Sequence, residues 1–241
     1  MDIQATAQAG MRALRANVYP GRGIVIGQTP DARHYVQVYW ILGRSENSRN
    51  RVFVAEADLV RTAPYDQSRV KNPSLIIYNC ARVVHRCHIV SNGDQTDTVF
   101  DVMSAGGTFE EALSGRDPEP DAPNFTARIT GLVDLDDKRH AYKLSIIKAA
   151  GNDPARCQRQ LFCYEKGVPG IGHCIHTYSG DGSPLPPFAG EPYPVPVPGD
   201  ADGVAKAYWD ILNENNKVSL MVKLIDARTG ASQVRIINKH T

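Results

Sequence analysis

Residues 35–42, YVQVYWIL, are β-branched or aromatic at most positions. No other part of the chain constrains the fold as strongly. Side chains of this kind fit the pleated surface of a sheet, so the run reads as a long strand. The theme recurs along the sequence. Residues 23–27 (GIVIG) read as a short buried strand, and 52–55 as another beyond a polar loop at 43–51. Residues 75–84 read as a strand with a polar centre at Tyr78-Asn79-Cys80, and 88–91 return beside it as a hairpin. The second half adds strands at 128–135, 141–148, 160–165 and 174–178. The last two, 218–226 and 233–237, form a hairpin around Thr229-Gly230.

Helical patterns are few. Residues 3–16 place Ile3, Ala7, Met11 and Leu14 on one stripe, which Tyr19-Pro20-Gly21 ends. Asn92-Gly93 marks a turn before a helix at about 96–104. Thr108 and Glu111 form a capping box for a short helix. Asp202 is expected to cap a helix over 203–213, with Val204, Tyr208, Ile211 and Leu212 on one face. Residues 115–125 form a Pro- and Asp-rich loop. Residues 179–200 hold seven prolines; because proline removes ladder donors, a long ordered loop or flap is expected there, not a strand. Many antiparallel-looking strands with few helices give an α+β class. A chain of 241 residues can bury one core. The expected organisation is a helical extension over 1–18 and a single domain over 19–241.

A formal net charge of +1 argues against a dedicated nucleic-acid binder, which needs a basic excess against phosphates. The five cysteines, Cys80, Cys87, Cys157, Cys163 and Cys174, are odd in number and form no CxxC pair. That points to a reducing, cytoplasmic setting rather than a disulfide framework or a zinc ribbon. The first residues have no continuous apolar stretch of the secretory kind, and no apolar run approaches the ~18 residues of a membrane span.

Several polar clusters could carry chemistry. Arg44-Ser45-Glu46-Asn47-Ser48-Arg49-Asn50-Arg51 follows a strongly apolar strand; its guanidiniums and hydroxyls suit phosphate oxygens, or the segment is a solvated loop. Arg22 lies between Gly21 and Gly23, which permit close backbone approach to a ligand or simply make a turn. Residues 91–97, SNGDQTD, join a strand to a helix start, where backbone N–H groups can cradle an anion or merely be capped. Asp94 and Asp97 suit ribose hydroxyls better than phosphate. Tyr78-Asn79-Cys80 is costly to bury unless hydrogen-bonded, and Cys80 reads more as a small hydrophobe than as a nucleophile. His173 and His176 fall on opposite faces of a strand, so they diverge where a metal needs convergent ligands. No metal site is expected.

Taken in order, Tyr19-Pro20-Gly21-Arg22, Gly43-Arg44-Ser45, 72–80 (NPSLIIYNC), 90–97 (VSNGDQTD) and Thr126-Ala127-Arg128-Ile129 resemble the motifs of archaeal-type IMP cyclohydrolases. The agreement in order and spacing covers 19–135; the remainder is looser and resembles bacterial relatives with a Pro-rich insertion. The resemblance implies a four-layer αββα fold like that of the N-terminal nucleophile hydrolases, without an N-terminal nucleophile. It implies cyclodehydration of a formamido-imidazole-carboxamide ribotide (FAICAR) to IMP, with no metal or redox cofactor. It also implies a homo-oligomer, of which the tetramer is a common form in the family, and a small-molecule nucleotide as partner, with no nucleic acid and no membrane. By position, Arg22, Arg49 and Arg51 are then expected at the substrate's phosphate, and Asn92, Gly93, Thr96 and Asp97 at ribose and phosphate, with Ser45 and Asn79 also binding substrate. Arg44 and Tyr78 are expected at the formyl oxygen, Glu119 at the proton, and Arg128 as the residue orienting Glu119 or the base. Two departures stand out: Pro118-Glu119-Pro120-Asp121 where the family has YEKD, and Ala127 where it has proline.

Overall fold

Alternation along β-strands decides how this chain layers. The computed structural model describes residues 2–71, 73–151 and 153–240. In order, the elements are α1 (Ile3–Ala16), β1 (Arg22–Gln28), β2 (His34–Leu42), α2 (Glu46–Arg49), β3 (Val52–Glu56), β4 (Leu59–Ala63), α3 (Pro73–Ile76), β5 (Asn79–Val84) and β6 (Cys87–Ser91). There follow α4 (Gln95–Ser104), α5 (Phe109–Ser114), β7 (Arg128–Asp134), β8 (Tyr142–Ala150), β9 (Asp153–Tyr164), β10 (Ile171–His176), β11 (Tyr193–Pro196), α6 (Ala201–Ile211), β12 (Lys217–Asp226) and β13 (Ser232–Asn238). They form a six-stranded sheet ordered β11-β10-β1-β2-β12-β13 and a seven-stranded sheet running β3 to β9 in sequence order. The pairing within both sheets is antiparallel, so the fold is α+β, built on two antiparallel sheets.

The sheets pack face to face. Ile24, Ile26, Tyr39 and Ile41 of the first meet Val90, Ile129, Leu144 and Ile146 of the second. On the outer face of the first sheet, Val25, Val38, Trp40 and Leu220 pack against Leu14 of α1 and Val204 and Tyr208 of α6. On the outer face of the second, Ile89, Leu132 and Ile147 pack against Val99 of α4 and Phe109 and Leu113 of α5. This is why YVQVYWIL is apolar almost throughout: Tyr39 and Ile41 face the other sheet, and Val38 and Trp40 face helices. Each such side chain contributes about 1.5–3 kcal/mol on burial. The one polar residue of the run, Gln37, is wholly buried and donates from Nε2 to the His88 carbonyl at 2.8 Å.

Several expectations need correction. Residues 75–84 are not one strand: α3 ends at Ile76 and β5 begins at Asn79. Pro73 favours a first helical position, and the Thr62 hydroxyl fixes the break by donating to the Ile76 carbonyl at 2.6 Å and accepting from Tyr78 N–H at 3.0 Å. The Pro-rich stretch contains a strand after all. In β11, Tyr193 to Pro196 pair with β10 at the sheet edge, where prolines are tolerated because one side of the strand needs no donors. There α1 crosses closely: a Cβ on Gly10 would sit 2.1 Å from the Pro194 carbonyl oxygen. Helix α6 starts two residues early because Asp200, not Asp202, accepts from Gly203 N–H at 2.8 Å. The loop at 43–51 contains one helical turn capped by Ser45. Strand β4 was not anticipated, and β9 begins at Asp153 rather than near 160. Among the described residues no helix is long and apolar enough to cross a membrane.

Candidate active site

The start of β1, the end of β2 and the end of β10 lie side by side in the first sheet. Arg22 pairs with Ile41, and Gly23 with His176. From the second sheet, the β6–α4 junction and the loop before β7 reach the same end. Between them lies a cavity of about 260 Å³, walled by residues that include Tyr19, Arg22, Arg44, Ser45, Asn92, Glu119, Asp121, Thr126 and Tyr178. Gly21 makes the turn into β1 with φ +72°, and a Cβ there would sit 2.3 Å from the Thr177 hydroxyl. Only glycine combines that backbone with that closeness, and the turn sets Arg22 on the wall.

Five residues singled out from the sequence therefore share one cavity: Arg22, Arg44, Ser45, Asn92 and Glu119. Arg44 lies with its guanidinium 5.0 Å from the centre of the Tyr19 ring. It pairs with Asp181 of the Pro-rich loop and donates to the Gly182 carbonyl at 3.0 Å. Asn92 locks the junction, donating to the Ala127 carbonyl at 2.9 Å and accepting from Ile129 N–H at 2.8 Å. Glu119 receives Arg128 Nη1 at 2.8 Å, and the same nitrogen reaches Asp94 at 2.6 Å. Arg128 Nε donates to the Asp117 carbonyl at 2.7 Å. Burial pushes the Glu119 carboxyl above its usual range; the Arg128 charge opposes this, and nearby Asp94 reinforces it. Gly93 is part of this contact: a Cβ there would meet Glu119 Oε1 at 2.6 Å and Arg128 Nη1 at 2.9 Å.

Other expected site residues sit elsewhere. Arg49 turns away, donating to the Gly43 carbonyl at 2.9 Å and to Asn216 at 3.3 Å. Arg51 is wholly buried and cannot touch a ligand in the cavity. Its Nε donates to the Ser48 carbonyl at 3.0 Å, while both terminal nitrogens are buried with no hydrogen-bond partner. Tyr78 is only 7% exposed and lies behind the wall, its hydroxyl 2.7 Å from that of Tyr39. Thr96 is buried with its hydroxyl engaged by Ser91 and the Gly93 carbonyl. Asn79 donates to Asp97 at 2.9 Å, and Arg82 pairs with Asp97 at 2.8 Å, so these three form a separate cluster. His173 and His176 diverge into different contacts, with Tyr142 and with Tyr193.

The electrostatics of the cavity floor are unusual. No carboxylate among the described residues pairs with Arg22 or Arg51. Burial pushes the Arg51 guanidinium down to about 10, and the Arg22 charge adds to the effect. Tyr19, Tyr39, Tyr78 and Tyr178 surround these cations. Reading residues one by one missed Tyr178 and Asp121 as wall residues. Tyr178 follows β10 as an ordinary aromatic, and nothing in its spacing marks it.

Residues 19–230 match the profile of the IMP cyclohydrolase-like proteins. The chain belongs to that family. Among its relatives, the IMP cyclohydrolase of Methanopyrus kandleri is 32% identical over 121 residues, 48% of this chain and 59% of that protein. That of Methanocella arvoryzae is 30% identical over 138 residues, 56% of this chain and 65% of its own length. That of Methanococcus maripaludis strain S2 is 33% identical over 131 residues, covering 52% and 63%. The chain thus spans about three-fifths of the length of the curated relatives it matches. Within this IMP cyclohydrolase-like family member, the cavity draws Tyr19, Arg22, Arg44, Ser45, Asn92 and Thr126 from the segments whose motifs resemble the archaeal enzymes, and Tyr178 and Leu185 from the looser remainder.

Proposed function

We propose that this protein is an IMP cyclohydrolase that converts FAICAR to IMP and water, on an αββα sandwich of the N-terminal nucleophile hydrolase type. The supporting observation is the cavity itself. A guanidinium with no carboxylate in ion-pair contact suits a phosphate monoester, and a buried carboxyl in the same cavity suits proton transfer.

In this reading Arg22 binds the phosphate, with the Arg51 charge beneath it acting through space. Ser45 and Asn92 offer hydrogen bonds to the ribotide. The substrate carries both reacting groups on one ring, so holding their orientation supplies much of the acceleration. The carboxamide nitrogen attacks the formyl carbon and gives one proton to Glu119. Arg44 faces the negative charge that develops on the formyl oxygen. That oxygen is then protonated and leaves as water with the proton of the formamido nitrogen. Arg128 acts as a positioning residue, holding Glu119 against the wall. A carboxyl raised by burial is a better proton carrier near neutral pH than an exposed one.

The test is turnover of FAICAR by the purified protein in metal-free buffer, read as IMP absorbance. Tight binding of IMP with no turnover would show a nucleotide-binding protein instead of an enzyme.

A further inference from the structure

A chain of hydrogen bonds beside Glu119 has its direction fixed by chemistry. Asp121 accepts from Thr126 N–H at 2.6 Å through one carboxylate oxygen, and from the Thr126 hydroxyl through the other. The Thr126 hydroxyl also bonds the Tyr178 hydroxyl. An ionised carboxylate can only accept, and a threonine hydroxyl has one hydrogen. Thr126 must therefore spend its hydrogen on Asp121. Tyr178 must then spend its own on Thr126. Burial pushes the Tyr178 phenol up to about 12, so it remains protonated at neutral pH. All three residues line the cavity. What Tyr178 turns toward a ligand is an acceptor lone pair.

We propose that Asp121 and Thr126 hold Tyr178 as a hydrogen-bond acceptor for a substrate N–H, making Tyr178 the residue that selects the carboxamide and the N1–H it becomes. This rests on the cyclohydrolase reading. The carboxamide nitrogen carries two hydrogens. One leaves during ring closure, and the other remains as N1–H of the product. Glu119 and Tyr178 both line the cavity and are joined through the Asp121–Thr126 segment: Glu119 N–H bonds the Thr126 carbonyl at 2.9 Å. Glu119 takes the hydrogen that leaves, and Tyr178 holds the one that stays.

Asp121→Asn inverts the chain without changing its shape. The backbone N–H of Thr126 keeps the amide oxygen on its side, so the amide NH2 faces the Thr126 hydroxyl. Thr126 then donates to Tyr178, and Tyr178 points its hydrogen into the cavity. The experiment compares dissociation constants, by calorimetry, for IMP, which has N1–H, and for the 6-unsubstituted purine ribotide, whose N1 only accepts. The two carry equal charge, so loss of the Asp121 charge cancels in their ratio. Wild type is expected to favour IMP. Asp121→Asn should lower the preference about tenfold, the scale of one hydrogen bond between neutral groups turned from matched to mismatched. Tyr178→Phe should also lower it, and adding Asp121→Asn to Tyr178→Phe should lower it no further. Thermal melts of each variant confirm folding. A preference in Asp121→Asn within twofold of wild type, or a further fall in the double variant, overturns the proposal. If wild type turns FAICAR over while the ratios stay flat, only this inference fails; if wild type neither turns FAICAR over nor binds IMP, the cyclohydrolase reading fails and takes this inference with it.

Discussion

Arg51→Met should make the protein more stable and less able to bind a phosphate ester. The guanidinium is wholly buried, and its two terminal nitrogens have no hydrogen-bond partner. Its fall from 12.5 to about 10 corresponds to roughly 3 kcal/mol against the charged form in the folded protein. The sign follows from linkage: a base whose folded value is depressed costs stability at every pH below that value. The cost fades only as pH rises from about 10 toward 12.5. At pH 7 it is present in full. Methionine keeps most of the stem and removes the charge, but it also loses the bond from Nε to the Ser48 carbonyl, worth about 1 kcal/mol. The net gain is then about 2 kcal/mol, which for a chain of this size raises Tm by about 4–8 °C. Calorimetric melts at pH 7 and low salt measure it directly. The same variant should raise KM for the ribotide about tenfold, because the field beneath Arg22 is lost. Adding phosphate should also stabilise it less than wild type, since stabilisation by a ligand rises with the logarithm of its affinity. A fall in Tm would refute the reasoning, because it would mean that the Arg51 charge is already compensated in the folded protein.

Four further outcomes are expected. Glu119→Gln should cut kcat about 10²–10⁴-fold, the range for loss of a general acid–base, with KM little changed in steady-state assays. Arg128→Met removes the charge that opposes the upward shift of Glu119, so the acid limb of the pH–rate profile should move to higher pH. Gly23→Ala should lower Tm by several degrees. A Cβ there would lie 1.9 Å from Trp40 Cζ2, and overpacking of this kind costs about 1–3 kcal/mol. Arg49→Ala should leave KM for the ribotide near wild type, because its guanidinium is tethered to Gly43 and Asn216.

The α+β class was legible because strand content is written in local residue types. YVQVYWIL, the carboxy-terminal hairpin and the helices over 3–16 and near 96–104 all lie where their patterns put them. Elements governed by long-range partners were not legible. The break before Asn79 is held by Thr62, fourteen residues from Ile76. β11 exists because β10 offers it an edge, which no proline count reveals. The same division holds in the site. Motif order named Arg22, Arg44 and Glu119, which share a cavity. It did not say that Arg49 would turn back onto its own loop, or that Arg51 would pass beneath the wall. Bonds from Arg49 to the Gly43 carbonyl and Asn216, and from Arg51 to the Ser48 carbonyl, decide which way each points.

The arginines of this chain divide by where their charge is spent. Arg128 reaches Asp94 and Glu119, Arg116 pairs with Asp94, and Arg82 with Asp97. Each has its counter-charge in the fold, and none of the three lines the cavity. Arg22 and Arg51 are different: the Arg22 charge adds to the downward shift of Arg51, and tyrosines are the neighbours that act most on Arg22. Two like charges near one another in a poorly solvated site repel, and an anion between them relieves this. These two have no carboxylate in ion-pair contact among the described residues, so in the proposed reading the substrate's phosphate supplies that contact. Arg44 illustrates the intermediate case, since its partner Asp181 comes from the Pro-rich loop at the cavity mouth and must give way or share when an anionic group arrives. The anion that fits must carry enough charge to offset the floor and leave room for Glu119 and Tyr178 to meet something polar above it. A ribotide does this through one phosphate at one end and a carboxamide at the other.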